Sequence, residues 1–239
     1  KRIVMERFIK YLFLISAIIF SEEEIERNIQ KILPSGFEIN FIEQSEVPNF
    51  YVVNVLNNQI LYVSYDYKFV FAGDLIGIQD EGIVSINDKY KTKFTQKLIS
   101  TIKPGESIDF ISEKERYRIK VFTDVSCAYC RLFHSEIEEY LEKGITIQYL
   151  GFPRDGLEGK VFNNMQSAWC SNNKKQSLTK LKLGEEIKKE LCQNPIREHF
   201  RIGSLIGITG TPTIVLDDGR KFSGYIPADQ LIKLIEDNG

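Results

Sequence analysis

Cys127 and Cys130 stand with two residues between them in YRIKVFTDVSCAYCR, residues 117–131. Thiols so spaced can divide one reaction between them. The first attacks a disulfide as its thiolate, and the second breaks the mixed disulfide that results. Two other chemistries use the same motif. A zinc site needs a further close pair, but the remaining cysteines, Cys170 and Cys192, lie 22 positions apart. A haem attachment site needs histidine directly after the second cysteine, where this chain has Arg131. His134, four positions after Cys130, reads as a helix-face or supporting residue rather than a ligand. The reading is a redox dithiol that needs no metal and no organic cofactor.

The flanking pattern says how such a pair would be held. Ile119 to Phe122 has the β-branched and aromatic character of a buried strand, and Arg131 to Leu141 places Leu132, Phe133, Ile137, Tyr140 and Leu141 at helical spacing. The cysteines therefore fall where a strand runs into a helix. The first helical turn leaves N–H groups unpaired and carries the positive end of the helix dipole, which stabilises an anion. Cys127 is the expected nucleophile, with a pKa lowered from about 8.5 toward 7 or below. Cys130, one turn into the helix, is placed to reach back and resolve the mixed disulfide.

A second conspicuous stretch lies far downstream, at Gly207-Ile208-Thr209-Gly210-Thr211-Pro212-Thr213, followed by the apolar strand Ile214 to Leu216 and the turn Asp217-Asp218-Gly219. Together with FTDVSCAYC (122–130), GITIQYLGFPRDGL (144–157) and AWC (168–170), the run GITGTPTIVLDDGR (207–220) resembles the DsbC family of periplasmic disulfide isomerases in order and spacing. The likeness extends over most of 22–239. It implies a thioredoxin fold for the catalytic domain and a cis peptide bond before Pro212, which would lie against the active-site pair. The backbone of Thr211 would pair with an extended substrate. Thr211, Pro212 and Tyr129 are then the residues expected to bind substrate and support the site, the pair Ala128-Tyr129 tuning the redox potential. A second, structural disulfide between Cys170 and Cys192 is also implied.

The rest of the chain is read around that centre. With 239 residues, 43% hydrophobic and 27% charged, the composition suits a packed soluble protein of one large or two small domains. The net charge of −2 gives no electrostatic ground for nucleic-acid binding. Lys1, Arg2, Arg7 and Lys10 precede the apolar run Tyr11 to Ile19, which is short of the ~20 residues that span a bilayer and reads as a secretory signal peptide over 1–21. Its removal would take the net charge to about −5. Ile25, Ile29 and Ile32 mark a short amphipathic helix ended by Pro34-Ser35-Gly36. The stretches 37–42, 50–56, 60–63 and 69–72 then read as an antiparallel sheet.

Residues 22–84 correspond to the family's small dimerisation domain, whose sheet joins that of a second chain. Residues 85–106 hold a linker helix with few core-facing positions, from Ile86 to Ile102, and 107–239 form the thioredoxin-like domain. That last region carries a lysine-rich, largely helical insertion from Gly159 to Asn194, a structural His199, and a closing helix from Pro227 to Glu236 packing Leu231, Leu234 and Ile235. The fold class is mixed, α+β in the N-terminal domain and α/β in the catalytic one.

These features and the resemblance point to a periplasmic homodimer that rearranges or reduces incorrect disulfides in misoxidised or unfolded secreted proteins; the resemblance further implies chaperone-like affinity for those substrates and return of the dithiol by a DsbD-type membrane reductase. Two rivals share some of the evidence. A DsbA-like dithiol oxidase would use the same motif, but is typically a single catalytic domain. A non-catalytic periplasmic chaperone would use the cysteines only structurally.

Overall fold

The computed structural model describes residues 22–79 and 82–237, so the expected signal segment lies outside the described residues. Among the described residues no helix is long and apolar enough to cross a membrane. The chain divides into two compact units between Asp74 and Leu75.

The first unit opens with α1 (Glu22–Ile32), whose acidic first turn complements the helix dipole. Strands β1 (Ile39–Gln44), β2 (Phe50–Val55), β3 (Gln59–Ser64) and β4 (Val70–Ala72) follow in spatial order β1-β2-β3-β4, all antiparallel. The β2–β3 connection runs through Asn57 and Asn58, both at positive φ (58° and 59°), a conformation asparagine tolerates better than most residues. Ile29 and Leu33 pack on Val53, Val55, Leu61 and Val63. Ile32, expected on the apolar face, is instead exposed, and Leu33 takes the inward position one residue on.

The second unit begins with a hairpin that sequence periodicity did not reveal, β5 (Ile76–Gln79) with β6 (Gly82–Ser85). Ser85 then caps α2 (Ile86–Ile99), its Oγ accepting the Asp88 N–H at 3.1 Å. This helix is less solvent-bridging than its sequence suggests. Ile86, Tyr90, Phe94 and Ile99 are all buried. The Asp217–Gly219 turn presses on its backbone: a Cβ built on Gly219, which sits at φ +91°, would lie 2.1 Å from the Thr92 carbonyl oxygen. Gly219→Ala is therefore expected to cost about 3 kcal/mol, combining overpacking with a left-handed backbone. Urea unfolding measures it, and an unchanged midpoint would disprove the packing argument.

A five-stranded sheet of order β11-β10-β8-β9-β7 forms the frame of this unit. Its strands are β7 (Ile108–Phe110), β8 (Tyr117–Thr123), β9 (Ile145–Gly151), β10 (Thr213–Leu216) and β11 (Lys221–Ser223). Only β8 and β9 run parallel, joined through α3 (Ala128–Ser135) and α4 (Ile137–Glu142). Alternation along the strands covers both faces. Ile119, Val121, Ile147, Tyr149 and Ile214 point toward one core, which also takes residues of α5 (Gly159–Cys170), α6 (Lys174–Lys182) and α8 (Ala228–Glu236). Phe122, Leu150 and Val215 point toward the other, where they meet Ile99 of α2 with Ile202 of α7 (Ile196–Leu205) and Ile206 just beyond it.

Candidate active site

Thr123 ends β8, and α3 begins at Ala128 with Cys127 as its N-cap residue, in extended backbone (φ −75°, ψ 124°). The chain is held in this turn by Asp124. That side chain is fully buried, and its carboxylate accepts the Ser126 N–H at 2.6 Å, the Ser126 hydroxyl at 2.7 Å, and the Arg154 N–H and Nε at 2.9 and 3.3 Å. Burial raises the Asp124 pKa, but these four donors outweigh it and hold the carboxyl below its ordinary value. Asp124 therefore fixes the loop as an anion, and its lone pairs are already committed.

Both thiols are free and buried, Cys127 at 4% and Cys130 at 1% exposure. Their surroundings push them apart. Burial raises Cys127, but the nearby Thr211 side chain and Cys130 N–H, with the charge of Arg154, bring its pKa below the ordinary thiol value. For Cys130 burial wins and the pKa rises, although the charge of Lys182 and the neighbouring Thr211 and Thr123 side chains oppose it. The outer sulfur is thus the readier anion, and the inner one stays protonated.

Thr211 and Pro212 close the site from the other side, joined by a cis peptide bond. The Thr211 carbonyl accepts the Cys127 thiol at 3.1 Å, and the Thr211 hydroxyl is buried and makes no hydrogen bond. When Cys127 ionises, that hydroxyl is the donor to hand. Pro212 is buried, its carbonyl accepting the Gly224 N–H at 2.8 Å. Tyr129 lies in the first turn of α3, between the two cysteines in sequence, and is 64% exposed.

Both histidines are interior. His134 bonds the Tyr149 hydroxyl at 3.1 Å and the Thr179 hydroxyl at 2.9 Å. His199 accepts the Gly151 N–H at 3.1 Å on Nδ1. Among the described residues no three His, Cys, Asp or Glu side chains converge to hold a metal.

Cys170 and Cys192 are joined in a disulfide with a Cα–Cα distance of 5.5 Å, outside the dithiol site. It ties the irregular segment 183–192 back to the end of α5. Closing a loop of this separation contributes about 3 kcal/mol on the chain-entropy estimate, so the double variant Cys170→Ser/Cys192→Ser should unfold at correspondingly lower urea. An unchanged midpoint would show that the loop is already ordered without the bridge.

Three residues at this site escaped sequence reading: Asp124, Arg154 and Lys182. Asp124 lies between strand and motif, where a buried carboxylate has no periodic signature. Arg154 stands in a turn 24 residues past Cys130. Lys182 carries a signal that could have been used, since it follows Leu178 by four positions on an apolar helix face.

Residues 105–239 match the thioredoxin-like domain family, and residues 20–85 match the disulfide bond isomerase protein N-terminal domain. The thiol:disulfide interchange protein DsbC of Salmonella typhimurium is 30% identical over 220 residues, covering 90% of this chain and 89% of that protein. Its counterpart in Haemophilus influenzae is 32% identical over 183 residues, covering 77% and 78%. Among solved structures, a disulfide interchange protein from Neisseria gonorrhoeae superposes with a TM-score of 0.51 at 27% identity, over 57% of this chain and 98% of that one. With both domain families present in order and a relative of this identity spanning nearly the whole chain, the chain belongs to the DsbC family of thiol:disulfide interchange proteins.

Proposed function

We propose that this family member is a periplasmic disulfide isomerase in which Cys127 is the nucleophile and Cys130 the resolving thiol. The opposed ionisation of the two sulfurs carries the reading. The Cys127 thiolate attacks one sulfur of a substrate disulfide, forming a mixed disulfide and expelling the other sulfur as a thiolate. That freed thiolate attacks a second disulfide of the substrate, and a later exchange at the mixed disulfide returns Cys127. Where rearrangement stalls, Cys130 attacks Cys127 and releases the substrate reduced. Thr211, Pro212 and Tyr129 border the position a substrate strand would take.

The N-terminal domain, 22–84, assembles the homodimer, and 85–106 connects it to the catalytic domain, 107–239. What supports this pairing is the edge strand β4: it bonds only β3 within the sheet, while Phe69, Val70 and Phe71 stand exposed at 66%, 47% and 49%. An apolar edge of that kind is a template for another chain. Misoxidised or unfolded secreted proteins are the substrates, and a DsbD-type membrane reductase restores the dithiol. The test is reactivation of a scrambled multi-disulfide protein in glutathione buffer, with the oligomeric state recorded. Repair by a dimer is expected. A monomer that oxidises reduced substrate quickly but leaves scrambled bonds unrepaired would instead be a dithiol oxidase.

A further inference from the structure

Lys182 is 3% exposed, at the end of α6 and within the catalytic unit. Lysine is rarely buried so completely, because taking an ammonium group out of water is costly. Burial pulls its pKa down to about 8, against the opposing charges of Cys130, Asp124 and Cys127, so it still carries a proton through most of its population near neutrality. Its contacts lead to the resolving thiol. Nζ donates to the Thr123 hydroxyl and, at 3.2 Å, to the Asp124 main-chain carbonyl. The Thr123 side chain also stands close enough to Cys130 to lower its pKa. A hydroxyl that accepts from an ammonium has its own proton left to give, and here the neighbouring acceptor is Cys130.

The other groups facing Lys182 cannot do this work. Asp124 offers it only a main-chain oxygen, the carboxylate being held by Ser126 and Arg154. From α3, His134 is pushed down to about 4 by burial and is neutral. On β9, Tyr149, whose ring lies 5.6 Å from Nζ, is fully buried and its pKa raised, so it too is neutral. Arg131, also on α3, lowers the lysine pKa further. Arg154 is bonded to Asp124 and lies at the Cys127 side.

We propose that Lys182 is a positioning cation for the resolving step, stabilising through the Thr123 hydroxyl the Cys130 thiolate that must form inside the protein before a mixed disulfide can be released. This rests on the assignment of Cys127 and Cys130 given above. In the step, the Cys130 thiol first yields its proton to solvent. The thiolate then donates an electron pair to the Cys127 sulfur, the Cys127–substrate S–S bond breaks, and the Cys127–Cys130 bond forms. The substrate sulfur leaves with the electron pair of the broken bond and takes a proton from solvent. The site is oxidised by two electrons and the substrate reduced by two. Lys182 is regenerated unchanged, its charge having offset the burial of the anion.

The experiment titrates Cys130 alone, by thiolate ultraviolet absorbance in full-length Cys127→Ser, with and without Lys182→Met. Methionine matches the length of the lysine stem, and the loss of a charge at this range should raise the Cys130 midpoint by roughly one to two units. In the otherwise native protein, Lys182→Met should release a preformed glutathione mixed disulfide at least ~10-fold more slowly at neutral pH, the deficit closing as pH rises toward the new midpoint. A Cys130 midpoint unmoved by Lys182→Met, or slow release by the same factor at every pH, would overturn the proposal and leave Lys182 a packing residue. Should Lys182→Met fold poorly, Thr123→Val removes the bridging hydroxyl with little change of shape and should move the midpoint the same way. A Thr123→Val midpoint that does not move would equally refute the proposed route. Failure of Cys127 to form any mixed disulfide would refute the nucleophile assignment instead. The Cys130 titration uses no substrate and still decides the role of Lys182.

Discussion

Cys127→Ala is expected to abolish repair of scrambled disulfides, to the uncatalysed rate, while leaving the protein folded. The substitution removes one sulfur from the N-cap of α3, where the cysteine side chain makes no cap hydrogen bond, so the helix keeps its geometry. Cys130 cannot stand in. It is 1% exposed and burial raises its pKa, so the surviving thiol is both unreachable and un-ionised. Cys130→Ala should behave differently: Cys127 still attacks, and mixed disulfides with substrate accumulate where the parent protein releases them. The measurement is reactivation of scrambled substrate, with covalent complexes resolved on non-reducing gels. Undiminished repair by Cys127→Ala would mean that the cysteines are structural and that the protein acts as a chaperone.

Lowering the pH should destabilise the fold well before its carboxylates protonate. His134 and His199 are both buried neutral, and burial takes each from its ordinary 6.5 to about 4. Between those values the unfolded chain binds the two protons that the folded one refuses. Stability is therefore fully present above 6.5, falls as pH drops through the window, and levels once the folded histidines charge near 4. Each group contributes a slope of about 1.4 kcal/mol per pH unit, and about 3 kcal/mol in total as an upper figure. For His199 the cause is specific, because Nδ1 already accepts the Gly151 N–H and protonation would set two donors against each other. Urea unfolding across the window measures the loss. His199→Gln should remove roughly half of the slope, and a flat profile in the parent protein would refute the argument.

What sequence could supply here followed from how local each feature is. The strand before Cys127, the helix after it and the antiparallel N-terminal sheet rest on periodicity within ten residues or so, and the structure has them. The helix from Arg131 to Leu141 proved to be two, divided at Glu136 (φ −102°, ψ 16°), because the apolar spacing continues smoothly across the break and hides it. Leu132, counted among its apolar positions, is 41% exposed. The β5–β6 hairpin was missed since its strands are only four residues each and carry glycine in the middle of one and at the start of the other. The site residues beyond the cysteines were harder still. Asp124 and Lys182 look like surface charges in sequence, and only the packing of α6 on the end of β8 turns them into interior groups.

The dithiol is also a device assembled from distant parts of the chain. Cys127 gives its hydrogen bond to a residue 84 positions away, and Arg154 and Lys182 reach the site from the intervening chain. Contacts of such long sequence separation form slowly, after local helices and hairpins. Without those contacts Cys127 would have only the surroundings that its own motif provides. Its reactivity depends on the strand β10, which pairs with β8 and sets Thr211 beside the thiol. The reactivity of the nucleophile is thus a property of the assembled domain rather than of the motif alone, since the groups that lower its pKa come from far along the chain.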